Sequence, residues 1–140
     1  MLFNPDFKDM LRALSDAKID FLLVGAYAVA AHGHPRATGD LDLWVRPDSE
    51  TASNVYRVLA EFGAPLHDLT VEDLARPGMV FQIGVEPSRI DILTAISGVD
   101  FDHAWTNRLS VEMDGIQLSV IGRADLIVKQ AEDRPEFKYH

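Results

Sequence analysis

Cysteine is absent from the chain. That single absence excludes disulfide frameworks, cysteine-ligated zinc, iron–sulfur clusters and thiol catalysis. Cations are scarce as well: 13 Lys and Arg stand against 22 Asp and Glu, a formal net charge of −9. To hold a nucleic-acid backbone unaided, such a chain would have to gather its few cations in one place, so extended nucleic-acid binding is not expected. Long apolar runs are missing too. The longest, from Phe21 through Gly25 to Ala31, is too short to cross a bilayer. The start, MLFNPDFKDM, has neither the basic nor the apolar region of a leader peptide, so a cytoplasmic location is expected. No repeat, low-complexity tract or linker interrupts the 140 residues, enough for one core and not two. A single domain over 1–140 is the expectation.

What is present reads as alternating helices and strands. Asn4-Pro5 is a helix start, followed by the apolar stripe Phe7, Met10, Leu11 and Leu14. Phe21 to Val24 reads as a buried strand, closed by Gly25, with a short helix over 26–31. Asp40 to Val45 alternates, placing Asp40, Asp42 and Trp44 on one face and Leu41, Leu43 and Val45 on the other. Asp48 or Ser49 caps a helix to about Phe62, and Thr70 caps one or two turns. Met79–Val85 and Arg89–Leu93 form an expected hairpin around Pro87. A second hairpin is marked by Asp114-Gly115. A helical turn at 101–105 and a last helix over 123–133, with Leu126, Ile127 and Val128 turned inward, complete an α+β fold: a mixed sheet flanked by helices.

The chemistry concentrates between Val24 and Leu43. A strand ends in Gly25, where the absent side chain lets a ligand approach the backbone, and the N–H groups that follow suit phosphate oxygens. Asp40 and Asp42, two residues apart on a strand, repel each other unless a cation neutralises them, and hard carboxylate oxygens suit Mg²⁺. Asp91, an isolated acid between Ile90 and Ile92, joins them if its strand lies alongside. Three such carboxylates could hold two metal ions.

This ordered set, Gly25-Ala26, Asp40-Leu41-Asp42, then Asp91, resembles the DNA polymerase β-like nucleotidyltransferase superfamily. Arg36-Ala37-Thr38 before the acids and Asp125-Leu126-Ile127 with Lys129 near the end are similar to its small bacterial minimal and AbiEii-like, toxin–antitoxin members. The resemblance spans about Asp20 to Arg134. It implies a nucleotidyltransferase-like fold and transfer of a nucleoside monophosphate from an NTP to a hydroxyl acceptor (small molecule, protein or RNA end), with release of pyrophosphate. It further implies that Asp40 and Asp42 bind both Mg²⁺ ions, and that Asp91 binds the catalytic metal and helps deprotonate the acceptor. Gly25 and Ala26 would then form the phosphate-holding loop. Arg36, Thr38 and Lys129 would contact the triphosphate. Two departures stand out. Ala26 occupies a place where the family favours Gly or Ser. The chain reaches only His140, leaving little room for an acceptor-binding region, so a homodimer or partner protein is expected to complete the site.

Each residue also has a plainer reading. Asp40 and Asp42 could line a solvated edge strand, Asp91 could pair with Arg89, and Lys129 could be a surface residue. His32 and His34, with no third ligand beside them, are not read as zinc ligands. Tyr27 and Trp44 could stack on a base but are more simply packing residues, and Trp105 reads as core. The alternatives to an active enzyme are a non-catalytic antitoxin-like or regulatory protein of the same fold, and a metal-dependent phosphohydrolase using the same acids.

Overall fold

The computed structural model describes residues 3–33, 39–85 and 88–132, the last three by backbone alone. Helix α1 (Pro5–Asp16) opens as its sequence dictates: the Asn4 side chain accepts a hydrogen bond from the Phe7 amide, and Pro5 fills a position where no donor is needed. Its stripe of Phe7, Met10, Leu11 and Leu14 is wholly buried. Then follow β1 (Phe21–Val24), α2 (Gly25–Ala31) and β2 (Leu41–Val45), the last beginning one residue later than its alternation suggested. Helix α3 (Ser49–Phe62) is capped by Asp48 and stopped by the left-handed Gly63. Helix α4 (Val71–Ala75) starts with a full capping box between Thr70 and Asp73.

The remaining elements are β3 (Val80–Ile83), β4 (Ile90–Leu93), α5 (Phe101–Thr106), β5 (Leu109–Met113), β6 (Ile116–Val120) and α6 (Arg123–Glu132). Both expected hairpins form. In the second, Asp114 and Gly115 take positive φ of 54° and 80°, as a two-residue turn between twisted strands requires. The six strands make one mixed sheet in the order β3-β4-β2-β1-β6-β5. Strand β2 is central, antiparallel to β1 and parallel to β4.

That position explains the composition of β2. A central strand is covered on both faces, and Leu41, Leu43, Val45 and Trp44 are all buried. Leu41, Leu43 and Val45 belong to a core that includes the inner residues of α1 and α3. On the other face Trp44 packs edge-on against Phe101 of α5, with ring centres 5.1 Å apart. Phe101 in turn stacks on Trp105, which is half-buried rather than core. Helix α6 corrects one expectation. Leu126 turns inward, but Ile127 and Val128 are exposed, because successive helical residues are about 100° apart and three in a row cannot share a face. No helix among the described residues is long and apolar enough to cross a membrane.

Candidate active site

The parallel pairing of β2 with β4 sets the site. Its register places Asp42 beside Asp91, between the pairs Leu41–Ile90 and Leu43–Ile92. On the opposite flank, Asp42 pairs with Val24, the last residue of β1. The next residue, Gly25, opens α2 with φ of +71°, and a Cβ there would land on the Asp42 carboxylate. Gly25 is therefore required twice, by its backbone conformation and by the closeness of Asp42.

Two carboxylates this close share their charge badly. Asp42 is pushed up from 3.8 to about 7, first by burial, then by its hydrogen bond to Asp91, then by the negative charges of Asp91 and Asp40. Lys129, from α6, pulls in the other direction, which puts its ammonium within electrostatic reach of Asp42. Lys129 also lines an open cleft of about 380 Å³ with Leu93, Ala95, Ile96 and Ser97, at the end of β4.

Asp40 precedes β2 and joins the group through a bridge. Arg89, just before β4, grips Asp91 with two bonds, Nε to Oδ1 at 2.8 Å and Nη2 to Oδ2 at 3.1 Å. The same Nη2 reaches Asp40 Oδ2 at 3.0 Å. The Arg89 carbonyl accepts from the Leu41 amide at 2.9 Å, tying the two strand starts together. Sequence reasoning treated Arg89 only as a partner for Asp91. Its two-residue spacing from Asp91 signalled that contact, but the bridge to Asp40 needs the β2–β4 register.

The structure thus brings Asp40, Asp42, Asp91, Gly25 and Lys129 together. Ala26 follows Gly25 in the first turn of α2 and is half-buried. Arg36 and Thr38 lie outside the described residues, as do His34 and Pro87. His32 has a structural bond, Nε2 to the Ile121 carbonyl at 2.8 Å. Tyr27 is buried against the Phe3 and Phe7 rings, and Trp44 against Phe101, so neither presents a face for a base. Asp125, next to Leu126, is buried with Oδ1 3.2 Å from Nε2 of the exposed His103, a pairing that sequence gave no reason to expect.

Among the described residues no three acidic or histidine side chains stand as a ready-made metal cage, and the Arg89 guanidinium bridges two of the three acids. The donor chemistry still fits a hard divalent cation: carboxylates on adjacent strands, one of them driven by burial and by its acidic neighbours to keep its proton.

No curated protein matches the chain. A crystal structure from Thermotoga maritima, described as a "putative nucleotidyltransferase", superposes with a TM-score of 0.61. It is 16% identical and the match covers 93% of this chain and 84% of that one, which establishes a shared fold. A family profile matches residues 4–137, and the chain belongs to the family described as nucleotidyl transferase of unknown function (DUF2204).

Proposed function

We propose that this chain transfers a nucleoside monophosphate from an NTP to a hydroxyl acceptor, with Mg²⁺ at Asp40, Asp42 and Asp91. The observation that carries the reading is the side-by-side placement of Asp42 and Asp91 on central strands, with Gly25 pressed against Asp42 and no room for a side chain between them. In the reaction the acceptor oxygen attacks the α-phosphorus, the bond to the bridging oxygen breaks, and pyrophosphate leaves. The acceptor's proton goes to Asp91 or to water held beside it. Bound Mg²⁺ would supply neutralisation of the polyphosphate and a lowered pKa for the acceptor hydroxyl. Gly25 and Ala26 would lie along the phosphates, with Arg36, Thr38 and Lys129 as their polar contacts. Such chemistry asks the protein for placement and electrostatic support rather than for a nucleophile.

A second reading, a non-catalytic binding protein with this fold, is favoured by one specific feature. Arg89 pairs with both Asp40 and Asp91 without any metal, so these two acids have a counter-ion in a protein that never binds one. Titrating the four NTPs with Mg²⁺, while following thermal stability and pyrophosphate release, separates the two. Stabilisation that requires metal and disappears in Asp40→Ala/Asp42→Ala supports the enzyme. A folded protein that binds no nucleotide supports the partner role.

A further inference from the structure

We propose that Arg89 exchanges partners during ligand binding: it is the counter-ion of Asp40 and Asp91 while they hold no metal, and of the nucleotide's polyphosphate once they do. The inference rests on the nucleotidyltransferase reading and deepens it.

Three observations carry it. First, the guanidinium uses the oxygens a cation would need. Its Nε and Nη2 engage both oxygens of Asp91 at 2.8 and 3.1 Å, and Nη2 engages Asp40 Oδ2 at 3.0 Å. Each oxygen keeps a second lone pair, but a guanidinium seated on these three oxygens repels a cation placed beside it, so the two occupants compete. Second, Arg89 cannot settle the competition by losing its charge, since a guanidinium stays protonated throughout the working pH range. A metal at those oxygens cancels the charge that draws the guanidinium there, so the balance shifts toward an anion that arrives with the metal. Third, it cannot travel far. Its side chain is only 25% exposed and its carbonyl is held by the Leu41 amide at 2.9 Å, so the head stays within one side-chain length of the acids. The anion that arrives with the metal at that spot is the polyphosphate, and the planar fork that grips Asp91 has the right shape for phosphate oxygens. Lys129, within electrostatic reach of Asp42, offers only a compact point charge.

The exchange makes two effects of opposite sign. Removing the guanidinium frees the carboxylates for metal and at the same time strips a contact from the phosphates. A residue that merely held the fold together would weaken both. The test uses the full chain and two probes: Mn²⁺ alone, followed by the spin resonance of free Mn²⁺, and inorganic tripolyphosphate with saturating Mg²⁺, followed by calorimetry. Arg89→Ala is expected to bind Mn²⁺ about tenfold tighter and tripolyphosphate about tenfold weaker, the scale of one charge-assisted hydrogen bond. Arg89→Lys, with the charge but not the fork, falls between on both. If Arg89→Ala does not fold, Arg89→Gln keeps donors for Asp91 without the charge and carries the same pair of measurements. Loss of both affinities together, or no change in either, overturns the exchange while leaving the enzyme reading intact. If the folded wild-type protein binds neither probe, the nucleotidyltransferase reading falls, and the exchange with it.

Discussion

Asp42 and Asp91 occupy the same register position on neighbouring parallel strands, so their carboxyl groups meet in the interior of the sheet rather than at its rim. This pairing has a signature in the pH dependence of stability. Unfolded, Asp42 releases its proton near 3.8; folded, it holds the proton up to about 7. Below the lower value both states are protonated and the pair costs nothing. Between the two values the folded state binds more protons, so stability falls as pH rises, and above about 7 the full penalty is in force. Metal-free protein should therefore melt lower at pH 8 than at pH 5 by a few degrees, and Asp42→Asn should flatten that segment of the curve. Thermal melts across this range, with and without Asp42→Asn, check it; an equal slope in the variant would assign the effect to other groups.

The Gly25 turn makes a prediction with an internal control. Gly25 and Gly63 both have positive φ, 71° and 93°, but a Cβ at Gly63 meets open space while one at Gly25 meets the Asp42 carboxylate. Gly63→Ala should cost about 1 kcal/mol, the backbone term alone. Gly25→Ala should cost that plus the displacement of Asp42, about 2–4 kcal/mol in total, and should also abolish metal-dependent nucleotide binding. Urea unfolding of both variants gives the difference, and equal costs would mean that Asp42 moves aside freely.

Ala26 offers a gain-of-function prediction. It sits half-buried in the first turn of α2 beside Gly25, and a serine there adds one hydroxyl with little added bulk. Ala26→Ser should tighten NTP binding about threefold to tenfold, the net worth of one hydrogen bond, with stability changed by less than about 0.5 kcal/mol. Calorimetric titration checks the affinity. A weaker complex would remove the Gly25-Ala26 turn from the phosphate site.

The His103–Asp125 pair is expected to matter for stability. Asp125 is buried in the first turn of α6, Oδ2 has no hydrogen-bond partner among the described residues, and Oδ1 faces His103 at 3.2 Å. Taking away the imidazole removes that contact from a buried carboxylate. His103→Ala should cost about 1–3 kcal/mol even though His103 itself is largely exposed, and Asp125→Asn should recover part of the loss in the double variant. Denaturant unfolding of the wild type, the two single variants and the double variant completes the cycle.

These elements show where sequence is informative and where it stops. Signals held within a few residues were legible: the Asn4-Pro5 start, the Thr70 cap, the Asp114-Gly115 turn and the alternation of β2. Each is a local hydrogen-bond or φ requirement that few residue types satisfy. The meeting of Asp91 with Asp42 was legible only as a condition, since it depends on β4 lying parallel to β2. The bridge from Arg89 to Asp40 was not legible, because it follows from a register set by residues 49 positions apart. For the same reason Trp44 resembled a site residue: it shares a face with Asp42, and the ring that covers it comes from α5, far along the chain. In α6 the apolar trio 126–128 was read without its phase, which the buried Asp125 and Leu126 decide.

The bond from His32 to the Ile121 carbonyl ties together two departures. The chain leaves α2 at His32 toward Arg36 and Thr38, and leaves β6 at Ile121 toward α6 and Lys129. Ile121 is itself held by the Leu23 carbonyl in β1, two residues before Gly25. The end of α2, the end of β6 and the last residues of β1 before Gly25 are thus joined at one point of the sheet. A change at that point, such as loss of the His32 imidazole, would therefore be felt at the Gly25 turn and at the start of α6 together, although the two lie nearly a hundred residues apart in the chain.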